Sequence, residues 1–247
     1  MQLLSQKQFK MEKSNKFNSD WLSKIMHLSP HKRSGVNFCS SASPGCIEAC
    51  LNTSGYGRYE NVQDARLNRS KLFIEDREQF KVKLYNELTT FSGSCLRKRV
   101  NPAFRPNGTT DIFWEKIFPD MFETFDNVQF YDYTKVKSRM IKFINGDFPS
   151  NYHLTFSRSE INHNDCLDIL KMGGNVAIVF DKLPLTYLGY PVNSGDEHDL
   201  RFLDEFGIVG LTPKAKAKKD KSGFMVNSYW SNRFNRLIGR KVSTCKA

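Results

Sequence analysis

The sequence predicts an α/β fold in which repeated strand–helix units form a parallel-stranded barrel or partial barrel of about six strands. Two observations predict this class. Short apolar runs recur along the 247 residues, and the clearest, residues 176–180, is continuous and β-branched, as in a strand buried on both faces. Between these runs, apolar residues recur at the spacing of amphipathic helices. Strands that alternate with helices form parallel sheets with right-handed crossovers.

Six segments carry strand patterns, and turn residues mark several of their ends. Pro30 closes the first segment, and the second leads into an Asn-Gly pair at Asn107. The third and fifth end at Asp132 and Asp181, directly after apolar runs. The predicted strands cover residues 23–29, 98–105, 127–132, 152–156, 176–180 and 207–211.

Helical periodicity and stop signals define four helices. In the first, Leu67, Phe73 and Phe80 fall at helical spacing, and a Gly-Ser break follows. Thr110 or Asp111 supplies the N-cap of the second, and a Gly-Gly pair ends the fourth. The predicted helices cover residues 62–88, 112–125, 136–145 and 164–172.

The chain length predicts one catalytic domain with two flanking segments. We divide the sequence into an N-terminal extension at 1–22, a barrel-like catalytic domain at 23–221 and a basic, aromatic C-terminal tail at 222–247. No segment approaches eighteen consecutive apolar residues, which predicts no membrane span, and the polar N-terminus lacks an apolar signal core. We therefore expect a cytoplasmic protein, and the oligomeric state stays open.

Positive charge is the strongest compositional signal. The formal net charge is +11, from 37 Lys and Arg against 26 Asp and Glu. Such an excess predicts a polyanionic partner, most often nucleic acid, although a solvated basic surface is the alternative. Basic residues that follow strands or interleave with aromatics are the predicted nucleic-acid contacts: Lys135, Arg158, Lys214, Lys216, Lys218, Arg233 and Arg236.

Three of the six cysteines, Cys39, Cys46 and Cys50, lie within twelve residues after the first strand. In reducing cytosol, such a group favours a metal over a disulfide. The C-x6-C-x3-C spacing differs from the C-x2-C pairs of zinc ribbons. Two kinds of metal site are alternatives. One is a zinc site with His31 or His153 as the fourth ligand, and the other is a [4Fe–4S] cluster that leaves one iron free for a cofactor. A disulfide or unligated thiols are the remaining alternatives.

Polar residues follow nearly every predicted strand. Parallel strands of α/β proteins place their reactive groups at their carboxyl ends, so these residues are expected along one rim. Helix capping is the alternative for Thr110, Thr134 and Ser159. The rim residues are Asn107, Thr109, Thr110, Asp111, Asp132, Tyr133, Thr134, Lys135, Ser157, Arg158, Ser159, Glu160, Asp181, Lys182, Thr212 and Lys214.

Four of the polar residues are predicted to be catalytic. Asp132 and Asp181 each end a predicted buried strand. A lysine directly follows Asp181, and a Tyr-Thr-Lys segment follows Asp132, so either carboxylate can stay ionised and act as nucleophile or base. Asp111 is the carboxylate after the second strand. His198 lies in a segment dense in ionisable groups, residues 195–202, and its imidazole suits a metal or acid–base work.

Several motifs together resemble a family of phage proteins, the gene product eighty-eight family. They are Leu28-Ser29-Pro30, the cysteine loop with Ala65-Arg66 downstream, Asn107–Ile112 with Trp114-Glu115, Phe130–Lys135, His153–Ser157 and Gly195–Phe202. The resemblance covers most of the chain between about residues 23 and 216. It implies a phage source, and hence the host cytoplasm, more than a particular reaction.

Two better-understood enzyme groups resemble the chain more remotely. Phage enzymes that insert 7-deazaguanine into DNA are similar to tRNA-guanine transglycosylases, which are barrels with a Cys3His zinc site and paired aspartates. Their zinc motif lies late in the chain, unlike Cys39, Cys46 and Cys50. Radical-SAM enzymes place three cysteines after strand one of a six-unit partial barrel, as this sequence does. Their last two cysteines are separated by two residues, whereas three separate Cys46 and Cys50.

Three functional hypotheses result. The first is a phage enzyme that modifies nucleic acid, favouring DNA, by exchanging guanine after attack of Asp132 or Asp181 on the sugar, with the base flipped into the rim pocket. The second is a radical-SAM-like enzyme with a cluster on the three cysteines and S-adenosylmethionine as cofactor. The third is a non-enzymatic DNA-binding protein with a structural metal.

Overall fold

One eight-stranded sheet organises the chain in a computed structural model that describes residues 1–5 and 9–228. The strands are β1 (Trp21–Ile25), β2 (Asn101–Arg105), β3 (Gln129–Thr134), β4 (Tyr152–Ser157), β5 (Val176–Val179), β6 (Thr186–Tyr187), β7 (Tyr190–Ser194) and β8 (Ile208–Leu211). Their order across the sheet is β1-β2-β3-β4-β5-β8-β7-β6. All neighbours pair in parallel except β6 and β7, which form an antiparallel hairpin.

Eight α-helices and several single-turn 3-10 helices connect the strands. The α-helices are α1 (Phe9–Phe17), α2 (Pro44–Glu48), α3 (Glu60–Glu75), α4 (Arg77–Lys98), α5 (Trp114–Ile117), α6 (Asp120–Thr124), α7 (Lys137–Ile144) and α8 (His163–Lys171) in the described residues. The 3-10 helices are His31–Ser34, Leu51–Thr53, Gly55–Arg58, Arg201–Leu203 and Ala215–Lys219.

The predicted α/β class is confirmed, but the predicted strand count is wrong and a barrel is not confirmed. The sheet has eight strands rather than about six, and it is open, with β1 and β6 as its edges. The two strands that were not predicted, β6 and β7, lie between the fifth and sixth predicted strands. Their tight turn at Leu188 and Gly189 has positive φ at both residues, +55° and +83°, which is the conformation of a two-residue hairpin turn.

Several element boundaries differ from the prediction for local reasons. The predicted long helix divides at Asp76, whose carboxylate accepts a hydrogen bond from the Gln79 amide and so caps α4. Gly93 does not break α4, which ends at Arg99 in the left-handed conformation. The helix predicted at 112–125 is two short helices separated by Phe118 and Pro119. Strand β3 continues two residues beyond Asp132.

Alternation along the strands divides side chains between two faces. Phe104, Phe130 and Leu154 point into the main core, which the helices cover with an aromatic group around Phe73 and Trp114. On the opposite face, Ala103 and Tyr131 pack against Leu200 and Phe202 of the segment that links β7 to β8, and Trp21 joins them. Both faces of the sheet are therefore covered by protein.

The terminal parts of the described chain contact the sheet. Helix α1 packs on β1, and the Ser14 hydroxyl accepts a hydrogen bond from the Asp199 amide at 2.8 Å. Val226 forms a parallel bridge with Phe180.

The domain boundaries at residues 22 and 221 stay predictions. Within residues 1–5 and 9–228, no helix is long and apolar enough to cross a membrane.

Candidate functional site

Two adjoining cavities lie at the carboxyl ends of the parallel strands. The larger has a volume of about 440 Å³ and the smaller about 210 Å³. Both are lined by rim residues that sequence analysis predicted, among them Thr109, Thr110, Tyr133, Lys135 and Ser157. The prediction that polar groups converge at this edge of the sheet therefore agrees with the positions of these side chains.

The cysteine loop forms one wall of the larger cavity. Cys39, Cys46 and Cys50 all line it, and all three are free thiols. The His31 amide donates a hydrogen bond to Cys39 Sγ at 3.4 Å, and the Asn52 amide donates one to Cys50 Sγ at 3.5 Å. The three cysteines thus converge on one cavity, and two of their sulfur atoms already accept backbone hydrogen bonds.

Burial and the proximity of the neighbouring thiols disfavour ionisation of Cys39 and Cys50. Burial raises the pKa of Cys39 to about 11, and Cys50 and Cys46 add to this increase. Burial also raises the pKa of Cys50, against the opposing charges of Arg66 and Lys135. In the metal-free protein Cys39 and Cys50 are therefore neutral thiols at pH 7, and a bound cation would have to displace their protons.

Glu160, from the loop after β4, anchors the start of the cysteine helix α2. Its carboxylate accepts hydrogen bonds from the Ser43 hydroxyl at 2.7 Å and from the Gly45 amide at 2.8 Å. A Cβ at Gly45 would lie 2.2 Å from Ser222 Oγ and 2.8 Å from Glu160 Oε2. A larger residue at position 45 would therefore push the ends of the Ser222 and Glu160 side chains away from the residue before Cys46.

A buried polar network anchors the other end of the cysteine loop. Arg66 of α3 donates a hydrogen bond to the Asn52 carbonyl at 3.1 Å and a second to the Asn52 side chain. Gln63 donates to the Asn52 carbonyl at 2.6 Å and accepts from the Asn52 amide group at 2.7 Å. Because both partners are on α3, this helix fixes the position of Cys50 relative to the sheet.

The loop after β2 is held between the cysteine loop and β3. The Gly108 amide donates to the Met26 carbonyl at 2.9 Å, and the Thr109 hydroxyl donates to the Leu28 carbonyl at 2.6 Å. A Cβ at Gly108 would lie 2.6 Å from the Met26 carbonyl oxygen, so glycine is required here. Cys39 Sγ lies 3.7 Å from the Thr109 carbonyl oxygen, which brings this loop against the thiols.

Asp111 and Lys135 bring a negative and a positive charge to the larger cavity. One Asp111 oxygen accepts from the Thr134 hydroxyl and the Lys135 amide, and the other from Arg139 at 3.2 Å. Burial raises the pKa of Asp111, against the effect of Arg139. Lys135 Nζ donates to the Ser157 hydroxyl at 2.6 Å. Asp111 thus positions its neighbours, and Lys135 presents the cationic group.

Asp132, a predicted nucleophile, points away from both cavities. Because β3 extends to Thr134, Asp132 is inside the strand and faces the helix layer, where it is fully buried. It accepts hydrogen bonds from the Asn107 amide, the Asn107 side chain and the Tyr152 hydroxyl at 2.7–2.9 Å. Burial raises its pKa to about 7, against the charge of Arg105. Its structural position is that of a core residue.

Asp181 and His198 also lie apart from the cavities. Asp181 is exposed, and its carboxylate accepts from the Lys182 and Ser228 amides. His198 is buried on the face opposite the helices, stacked on Phe17 with ring centroids 4.0 Å apart. Burial, reinforced by Arg201, lowers the pKa of His198 to about 4. The structure therefore does not bring Asp132, Asp181 and His198 together.

The predicted basic contacts divide among three environments. Lys214 lines the smaller cavity and pairs with Asp196 at 3.2 Å, and Lys216 lines the larger one. Lys218 is exposed. Arg158 donates to the Gly223 and Phe224 carbonyls, a structural role. The lysine segment Ala215–Lys219 is a 3-10 helix with Ala217 buried. Arg233 and Arg236 lie outside the described residues.

Several charged residues at the cavities were not predicted from the sequence, among them Arg105, Arg33 and Asp196. Arg105 is buried at the end of β2, lines the smaller cavity and pairs with Asp199 at 2.9 Å. Arg33 lines the larger cavity, and Asp196 accepts two hydrogen bonds from Thr212 in the smaller. Arg105 ends its strand on the face opposite Phe104, so alternation along β2 was the signal that could have identified it.

No group of three His, Cys, Asp or Glu side chains in residues 1–5 and 9–228 is arranged to hold a single metal ion. Of the two candidate histidine ligands, His31 lines the larger cavity. His153 is near the amino end of β4, packed on Phe143, so it lies at the opposite end of the strands. A zinc ion bound by His153 and the cysteines is therefore inconsistent with the fold.

Comparison with protein families found a model described as Gene product 88 that matches residues 2–228. The chain belongs to the Gene product 88 family. This confirms the family that the motifs predicted, one of phage gene products. The Gene product 88 match covers β1 to β8, and so includes every residue of both cavities. Comparisons with curated proteins and with solved structures found no match. The resemblances to transglycosylases and radical-SAM enzymes stay predictions.

Proposed function

We propose that this protein is an iron–sulfur enzyme of the radical-SAM type, in which Cys39, Cys46 and Cys50 bind a [4Fe–4S] cluster. The observation that carries the proposal is the convergence of these three reduced thiols on one cavity at the carboxyl ends of parallel strands. Three protein ligands leave one iron of such a cluster open to a second molecule.

The arrangement of the thiols supports a cluster over a single zinc ion. Zinc–sulfur bonds of about 2.3 Å require all ligating sulfurs within roughly 4.6 Å of one another. Residues 1–5 and 9–228 contain no group of three His, Cys, Asp or Glu side chains that could hold one metal ion. A cluster distributes its three ligands over three separate iron atoms, so it suits cysteines that line different parts of one wall.

The surroundings of the thiols also fit an iron–sulfur cluster. Hydrogen bonds to cysteine sulfur tune such clusters, and backbone amides already donate to Cys39 and Cys50. Burial raises the pKa of Cys50, and the positive charges of Arg66 and Lys135 oppose that increase. Glu160 and Arg66 hold the two ends of the loop, so the ligand positions are fixed by rigid elements.

When bound, such a cluster supplies one electron for reductive cleavage of S-adenosylmethionine. The residues of the chain prepare the cavity for that chemistry. Lys135, hydrogen-bonded to Ser157, offers a cation for a carboxylate or phosphate group. Arg139 and the Lys135 amide hold Asp111 in place, so the cationic and anionic groups keep fixed positions. The thiols and the loop after β2 close one side of the cavity from water.

Guanine base exchange receives less support from the geometry. That reaction needs a carboxylate in reach of the sugar and a second group for proton transfer. Asp132 faces the core with three hydrogen-bond donors around it, and Asp181 is exposed outside both cavities. Asp111, at the larger cavity, has both carboxylate oxygens occupied. Nucleic acid as substrate remains part of the proposal, supported by the net charge of +11.

Iron analysis of the protein purified without oxygen tests the proposal. We expect brown protein that absorbs at about 400 nm and contains roughly four iron atoms per chain. Cys39→Ser, Cys46→Ser and Cys50→Ser should each lose the absorbance and most of the iron. Cys95→Ala and Cys166→Ala are matched controls, because these buried cysteines lie outside both cavities.

Two results would contradict the proposal. Colourless protein with one zinc per chain would favour a structural metal and the non-enzymatic alternative. Iron that survives in all three serine variants would show that the cluster is bound elsewhere. S-adenosylmethionine cleavage by the reduced protein, measured as methionine release, separates an enzyme from a protein that only carries a cluster.

A further inference from the structure

We propose that the mouth of the larger cavity and the adjoining segment at residues 55–59 bind a single-stranded nucleic acid, with Tyr56 and Tyr59 of that segment as the stacking residues. This surface rests on the proposed function in one respect: the nucleic acid would be the substrate class of the same site. Its evidence is separate: exposed aromatic rings, a rigid support beneath them and basic side chains around them.

The two tyrosines are unusually exposed for their size. Tyr56 is 77% exposed and Tyr59 is 47% exposed, and their ring centroids lie 6.2 Å apart at an angle of 36°. The Arg58 guanidinium lies over the Tyr59 ring at 5.1 Å. Exposed rings with an adjacent arginine provide π-faces on which bases stack without sequence preference.

The rings project from an ordered support rather than a loose loop. Gly57, between them, is buried, and its carbonyl accepts a hydrogen bond from Gln63 of α3. A Cβ at Gly57 would lie 2.5 Å from the Asn52 carbonyl oxygen, so this backbone is packed directly on the network that holds Cys50. A rigid aromatic platform loses little conformational entropy when a base stacks on it.

Basic side chains surround the same mouth. Arg33 and Lys216 line the larger cavity, and Lys218 and Lys219 lie on the same exposed 3-10 helix as Lys216. That helix packs against the turn Leu51–Thr53, which leads directly to Tyr56. Glu48 is an acidic residue at this mouth. A phosphate backbone crossing the lysines would therefore reach the tyrosines with its bases.

A single strand fits these features better than a duplex or a protein. The faces of stacked, paired bases are covered in a duplex, so tyrosine faces have nothing to contact there. A base must also leave any stack to enter a cavity. An acidic protein would engage the lysines but would not need two tyrosine faces.

Fluorescence anisotropy with a labelled twelve-nucleotide oligothymidine tests the inference on the full chain. We expect Tyr56→Ala and Tyr59→Ala each to weaken binding about tenfold, and Tyr56→Phe and Tyr59→Phe to keep it, since stacking needs the ring and not the hydroxyl. Lys216→Gln with Lys218→Gln should reduce the dependence of binding on salt. Glu48→Gln should strengthen binding.

Phe206→Ala is the matched control, because this 48% exposed ring precedes β8 at the opposite end of the strands. It should leave binding unchanged. Unchanged binding after Tyr56→Ala with Tyr59→Ala would overturn the inference, as would equal binding of the matching duplex. Tyrosine-dependent binding of poly-glutamate in place of the oligonucleotide would assign the surface to an acidic protein.

The same samples separate this inference from the proposed function. Tyr56→Ala and Tyr59→Ala should retain the iron and the absorbance of the parent protein, because neither residue lines the cavity of the three cysteines. If oligonucleotide binding persists in protein without iron, the surface is supported and the cluster is not. If iron is present but no oligonucleotide binds, the cluster is supported and this surface is not.

Discussion

His198 illustrates how burial changes the chemistry of a single residue. Its sequence context suggested acid–base work, but burial beside Arg201 lowers its pKa to about 4. An imidazole with that pKa is neutral throughout the physiological range, so it lacks the imidazolium proton that a general acid would transfer at pH 7. Its ring instead stacks on Phe17, and its Nδ1 accepts from the Leu200 amide at 3.2 Å.

We predict that His198 makes the protein less stable in acid. The unfolded chain binds a proton at His198 below about pH 6.5, whereas the native state binds it only below about pH 4. Protonation therefore favours the unfolded chain between these values, and between pH 7 and pH 5 the loss is about 2 kcal/mol. In urea unfolding at both pH values, His198→Gln should lose less stability than the parent protein over this interval. Equal losses in the two proteins would contradict the prediction.

Residue positions were predictable from sequence where they depended on strand ends. Thr109, Lys135 and Ser157 were expected at one rim, and each lines a cavity. The orientation of Asp132 was not predictable, because it depends on where β3 ends. Strand β3 extends two residues beyond its predicted end. Asp132 therefore lies inside the strand, with its side chain on the helix face.

At the scale of elements, the cysteine loop is fixed by partners far away in sequence. Glu160, which follows β4, holds the amino end of α2, and α3 holds the turn after Cys50. The sequence predicts this loop beside the rim. The hydrogen bond between Glu160 and Ser43, however, joins residues more than a hundred positions apart. No local pattern indicates such a contact, so only the three-dimensional structure identifies it.

We predict that Glu160→Gln loosens the cysteine loop without unfolding the sheet. The substitution keeps the shape of the side chain but removes the charge that strengthens its hydrogen bonds to Ser43 and Gly45. A loss of about 1 kcal/mol would speed local opening roughly fivefold. Hydrogen–deuterium exchange should accelerate in residues 43–50 and stay unchanged in β3 and β4. Asp165→Asn, an exposed carboxylate on α8, is the control and should leave the loop unaffected.

At the scale of the whole molecule, a buried ion pair connects distant parts of the chain. Arg105 at the end of β2 pairs with Asp199 of the segment that covers the opposite face of the sheet, at 2.9 Å. Arg105 is also near Asp132, at 3.8 Å, so one guanidinium joins the two faces. This pair fixes the covering segment, and through it the floor of the smaller cavity.

We predict that Asp199→Ala is strongly destabilising. Removing one partner leaves a buried guanidinium with less compensation, which costs about 3–5 kcal/mol. For a chain of this size, that loss lowers the melting temperature by roughly 6–20 °C. Asp120→Ala, which breaks the exposed pair with Lys81, is the matched control and should cost about 1 kcal/mol or less. Equal melting temperatures for the two variants would contradict this assignment.

The order of strands has a consequence for how the chain assembles during synthesis. Strand β8 inserts between β5 and β7, although it is the last of the described strands in sequence. Until residues 208–211 leave the ribosome, Val176–Val179 presents an unpaired apolar edge, and the hairpin of β6 and β7 has no strand to join. Unpaired edges of this kind recruit other chains. A nascent chain that stalls before Ile208 is therefore the species most prone to aggregate and most in need of a chaperone.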